Sequence, residues 1–133
     1  METKFLGGNF YSVTKTEPMN KETNQFSANV LLNPDHPVYK GHFPEMPVAP
    51  GVALTGMVQE ILEGQMHRPL FLSEASDIKF VRLVLPNDQN EYEVSYTLKF
   101  PTETIIDAIV VIRSGDQMFI KMRCKFTDVP FPD

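Results

Sequence analysis

The chain contains a single cysteine, Cys124, and no tryptophan. One thiol excludes an internal disulfide. Cys124 sits among Phe119, Ile120, Met122 and Phe126. In such a strand-like apolar run a lone thiol reads more readily as an inert small hydrophobe than as a nucleophile. Positive charge is also scarce, with 12 Lys and Arg against 17 Asp and Glu and a formal net charge of −5. No basic run occurs, which argues against nucleic acid as a partner, because phosphate binding needs concentrated cations. No apolar run approaches the roughly 18–20 residues of a membrane span. The first nine residues lack the basic start and long apolar stretch of a signal peptide, so a cytoplasmic location is expected. His36, His42 and His67 are scattered, and neither HExxH nor a paired-cysteine spacing is found. No metal site and no cofactor are expected.

With 133 residues, 42% hydrophobic and 22% charged, the chain suits one domain, 1–133, with a real core. Residues 10–17 alternate and carry β-formers, which predicts a first strand, and 18–22 a turn. Gln25 to Leu32 alternates again, with Phe26, Ala28, Val30 and Leu32 on one face, and 33–37 stops it. The second half predicts strands over 76–85, 90–100, 104–113 and 118–128, with a hairpin turn at Ser114-Gly115-Asp116-Gln117. In the 90–100 strand, Tyr92, Val94, Tyr96, Leu98 and Phe100 face one way.

Between these halves lies the densest segment, His42 to Val52, with one histidine, three prolines and one glycine in eleven residues. It reads as a rigid loop that aims a titratable side chain at the start of a helix. Pro50 suits a first helical position, where its missing N–H would have no partner anyway. Val52, Ala53, Leu54, Met57, Val58, Ile61 and Leu62 follow, with no charge before Glu60. That pattern predicts a helix buried all round, stopping near Gly64. Several strands and one buried helix give an α+β fold, an antiparallel sheet curled around the helix. His36 and His67 read as solvated loop residues.

Gly41-His42-Phe43-Pro44-x-x-Pro47-Val48-x-Pro50-Gly51-Val52 resembles the signature of the hotdog-fold 3-hydroxyacyl-(acyl-carrier-protein) dehydratases, the FabZ/FabA type. Lys79-Phe80-x-Arg82-x-Val84-x-Pro86-x-Asp88-Gln89 resembles the family's downstream strand and turn. The resemblance covers roughly residues 25–127 and implies a hotdog fold and water loss from 3-hydroxyacyl thioesters. That reaction needs a base for the C2 proton, an acid for the departing C3 hydroxyl and donors for the thioester oxygen. Histidine titrates near pH 6.5 and can serve as the base. The resemblance gives His42 that role. It gives the Gly51 N–H, at a helix start with its positive dipole, the role of polarising the carbonyl. Phe43, Pro50, Gly51 and Gly56 are the expected substrate-contacting positions.

The chain departs from the family on the helix. The resemblance expects a carboxylate on the helix fourteen residues after the histidine, and that residue is Gly56. Glycine inside a helix costs roughly 1 kcal/mol relative to alanine, which suggests that something packs closely there. Glu60, one turn further on, is a candidate replacement acid. Its other reading is the solvated end of the helix, together with Glu63. The implied partner is an acyl carrier protein, for which Lys79 and Arg82 are docking candidates, with Lys40 and Arg68 near the ends of the loop–helix unit. The family also implies a homodimer, a larger assembly of dimers, or a mixed dimer. Two other functions stay open: a non-catalytic acyl-binding subunit of a mixed dimer, and an acyl thioesterase.

Overall fold

The computed structural model describes residues 3–41 and 49–129. Its strands are β1 (Tyr11–Asn20), β2 (Gln25–Leu32), β3 (Phe71–Phe80), β4 (Glu91–Lys99), β5 (Ile105–Ser114) and β6 (Gln117–Thr127), and its helix is α1 (Gly51–Met66). Short 3-10 turns lie at Phe5–Gly7 and Pro37–Gly41. The strands form one sheet in the order β1-β2-β4-β5-β6-β3, and every pair is antiparallel.

Alternation explains the central strands. Every second residue of β2, β4, β5 and β6 points inward: Phe26 to Leu32, Tyr92 to Leu98, Ile106 to Ile112 and Ile120 to Phe126 are buried at these positions. Against that surface α1 buries Ala53, Leu54, Met57, Val58, Ile61 and Leu62. The Tyr96 hydroxyl donates to the Val58 carbonyl at 2.8 Å, pinning sheet to helix inside the core. The Phe26 and Tyr96 rings stack at 4.3 Å. Cys124 is buried, as its apolar neighbours suggest. The fold is α+β, as the element pattern predicts.

The structure corrects several local expectations. α1 is not apolar-covered on every side: it buries one face, and Val52 is 85% exposed. The helix runs through Gly64 and ends at Met66. His67 then takes a left-handed conformation, φ 57°, and returns its N–H to the Glu63 carbonyl at 2.9 Å. The strand expected over 76–85 lies at 71–80 instead. β3 is an edge strand, exposed along most of its length, so it carries no inner-face alternation to mark its start. Beyond Phe80 the backbone leaves the ladder, and the N–H groups of Val81 and Arg82 both reach the Phe119 carbonyl. Pro18 sits within β1 rather than in the following turn, which an edge strand with a register shift tolerates. Phe100 lies just past β4 and is 45% exposed. His36 is buried, at 7% exposure, where a solvated residue was expected. No helix among the described residues is long and apolar enough to cross a membrane.

Burial raises the Cys124 thiol from 9.0 to about 11 and the Tyr39 and Tyr92 phenols from 10.0 to about 12. Each group prefers its neutral form in the folded state. Their stabilisation is whole below the unfolded values and is lost as pH rises through the folded ones. The melting temperature should therefore hold up to about pH 9 and fall steeply toward about pH 12. Thermal scans across that range check it, and Cys124→Ala should soften the first part of the fall.

Candidate functional site

Pro50 carries φ −65° and ψ 142°, an extended entry that turns directly into the helix, and its carbonyl accepts from the Leu54 N–H at 3.1 Å. No side chain among the described residues caps this end. Gly51 is the first helical residue, and its N–H has no acceptor among the described residues. Such an end presents backbone donors and positive dipole to whatever lies before it. Thr55 turns inward along the helix, its hydroxyl donating to the Gly51 carbonyl at 2.9 Å.

The two sequence motifs, far apart in the chain, meet here. Ala49 donates to the Val84 carbonyl at 2.9 Å. The Phe80 ring lies over Gly51, so a Cβ at Gly51 would stand 3.0 Å from the ring. Close approach of this kind is available to glycine because it lacks a side chain. Around the junction Val52, Phe80, Val81 and Leu83 are all exposed, an apolar surface of the kind that marks a binding or pairing face.

His42 and Phe43 lie outside the described residues, as do Pro44, Pro47 and Val48. The described chain leads to them through Tyr39, which is buried and stacked on Phe10. Its hydroxyl finds no hydrogen-bond partner among the described residues. Lys79 and Arg82 are exposed, and neither forms an ion pair among the described residues. Lys79 stands opposite Lys121 in the β3–β6 ladder, so cations concentrate there. Arg68 is different. It pairs with Asp128 at 3.0 Å, just past the C-terminal end of the helix, and is not part of this group.

Further along α1 the expected neighbours are replaced by the start of the chain. The Phe5 ring sits directly on Gly56, in space that a Cβ would occupy. Glu60 is half-buried and accepts on both oxygens. Oε2 takes the Lys4 N–H at 2.8 Å and the Phe5 N–H at 3.1 Å, and Oε1 takes the Tyr11 hydroxyl at 2.6 Å. Burial, and then the Glu60 carboxylate against it, holds the Tyr11 phenol well above its usual value. Glu63 is not solvated either, since its Oε2 accepts the Leu70 N–H at 2.9 Å. Sequence reasoning missed Phe5 and Tyr11. The signal that pointed to them was Gly56, a costly residue in mid-helix.

A six-stranded antiparallel sheet in this strand order, folded over one helix, is the hotdog fold. Residues 18–116 match the ApeI-like family, described as ApeI dehydratase, and the chain belongs to that family. The 3-hydroxyacyl-[acyl-carrier-protein] dehydratase FabZ of Streptococcus agalactiae serotype V is 29% identical over 91 residues, covering 63% of this chain and 64% of that protein. FabZ of Neisseria meningitidis serogroup C is 33% identical, covering 62% and 58%. The chain therefore matches less than two thirds of the length of these relatives. Among solved structures, the dehydratase heterocomplex ApeI:P from Xenorhabdus doucetiae has the same fold, with a TM-score of 0.68 at 18% identity over 87% of this chain and 96% of that one.

Because the Phe80 ring is 59% exposed, it can yield to a methyl group at Gly51. Gly51→Ala should change unfolding free energy by no more than about 0.5 kcal/mol in a urea titration.

Proposed function

We propose that this chain removes water from 3-hydroxyacyl thioesters carried on an acyl carrier protein. The observation that carries the reading is the meeting of the two motifs at a helix start with no side-chain cap among the described residues, with Phe80 over Gly51 and Val84 bonded to Ala49. Membership of a dehydratase family and the FabZ relatives support it. In this reading the Gly51 N–H polarises the thioester carbonyl, which makes the C2 proton acidic and stabilises the enolate oxygen. A donor of this kind is commonly worth about 3–4 kcal/mol in the transition state. Pro50 and Phe43 contact the substrate, and Gly56 belongs to the adjoining wall. His42 takes the proton from C2. The C2–H electron pair becomes the C2=C3 double bond as the C3–O bond breaks. The imidazolium returns its proton to the departing hydroxyl, so one water leaves and His42 ends neutral.

The whole chain, 1–133, acts as one hotdog domain in the cytoplasm and assembles as a dimer through exposed β3. The docking face for an acidic carrier is the cationic group Lys79, Lys121 and Arg82. Gly56 favours a second reading, a mixed dimer. A companion hotdog chain that keeps a carboxylate at this place would then supply the acid. A protein of the same fold from Xenorhabdus doucetiae is a dehydratase heterocomplex, ApeI:P.

His42→Ala should lower enoyl-thioester formation by about a hundredfold or more. Full activity in that variant would end the proposal. Arg82→Glu should weaken carrier-linked substrates more than short pantetheine thioesters, seen as a rise in KM for the former. Turnover that appears only on mixing with a companion chain would select the mixed dimer.

A further inference from the structure

The first described residues do not trail from the sheet. They cross α1 in an irregular path: Leu6 and Asn9 carry φ of 54° and 61°, and Gly7 and Gly8 lie at 81° and 82°. Leu6 is exposed, so burial does not repay its left-handed backbone. Something else must hold the path, and the hydrogen bonds show what does. Glu60 receives two consecutive backbone N–H groups, from Lys4 and Phe5. The Val38 N–H donates to His36 Nδ1 at 3.0 Å, which leaves the ring proton on Nε2. Nε2 then donates to the Leu6 carbonyl at 3.0 Å. The Asn33 side-chain amide donates to the Asn9 carbonyl at 2.9 Å. Between these ties the Phe5 ring rests on Gly56 and meets Phe10 edge-on at 5.9 Å.

We infer that residues 4–8 form a strap that seats the Phe5 ring at Gly56, and that Glu60 is its anchor, a positioning residue rather than a proton donor. Three features agree. Gly56 is the one residue type whose lack of a side chain admits a ring against the helix backbone. A carboxylate that accepts two N–H groups and one O–H is engaged on both oxygens by charge-assisted bonds. The strap also closes the face of α1 on which the resemblance expects the acid, so the aromatic ring takes the place of a carboxyl group in the wall beside the reaction. The strap itself stands apart from the dehydratase reading, and its effect on turnover rests on that reading.

Glu60→Gln and Glu60→Ala separate anchor from acid. The glutamine oxygen still accepts backbone N–H groups, whereas alanine removes the anchor. In hydrogen exchange on the full chain, the Lys4 and Phe5 amides should stay protected in Glu60→Gln and exchange about tenfold faster or more in Glu60→Ala. Phe5→Ala, which leaves Glu60 intact, should loosen the same amides. In the dehydration assay Glu60→Gln should keep turnover within about threefold of the parent with an unchanged pH profile, while Glu60→Ala should raise KM more than it lowers kcat. A loss of turnover of about a hundredfold in Glu60→Gln with the amides still protected would overturn the inference in favour of an acid. Unchanged protection in Glu60→Ala would overturn it as well. Absence of turnover in the parent chain, both by itself and mixed with a companion chain, would count against the dehydratase reading only, since the exchange result decides the strap by itself.

Discussion

Helix α1 can bury only one side in a sheet that wraps it from one direction, and the rest of the structure depends on what covers the other sides. The inner stripe from Ala53 to Leu62 is closed by the sheet. The N-terminal end is met by Phe80 and by the backbone of the segment after β3. The outer middle is covered by Phe5 and its neighbours. Each cover uses different chemistry: close apolar packing inside, a glycine–ring contact with one backbone bond at the end, and a carboxylate holding main-chain N–H groups in the middle. The helix needs only modest intrinsic propensity as a result, and it carries Gly56 and Gly64 without breaking, because tertiary contact supplies most of the stability of such helices.

The same division separates core from chemistry. The groups that fix the fold, such as Tyr96 on Val58, lie where water does not reach. Among the described residues the helix start carries no side-chain cap, and exposed apolar residues surround it. A surface so arranged is unfinished as a monomer's surface. It gains a purpose if a long apolar substrate, a second hotdog chain, or both are brought to it.

Much of this was legible in the residues. Inward alternation marks β2, β4, β5 and β6 within a residue or two, since each buries one face and exposes the other. β3 was misplaced because an edge strand with polar residues on both faces leaves no periodic mark. The helix looked buried all round because its polar contacts are made by backbone and by residues remote in sequence, which an apolar count does not register. His36 reads as solvated for a similar reason: its bond to the Leu6 carbonyl, remote in sequence, follows from the path of the strap, while its bond from Val38 is local. At the site, both motifs are readable as sequence, but the contact that brings Phe80 over Gly51 is visible only in the fold. The occupant of Gly56 was readable only as a gap, because the sequence shows the missing side chain and the fold alone shows the ring that fills it.

That ring and that gap also constrain how the chain can change. A Cβ at position 56 and an aromatic ring at position 5 claim the same space. Substitution at 56 and retention of Phe5 are therefore epistatic, and the direction of drift matters. A lineage can shed the ring first and then take a larger helix residue. The reverse order passes through a collision at the heart of the strap. With an aromatic on that glycine, the steric clash works as a ratchet, making a helix carboxylate at position 56 hard to reach by any single step.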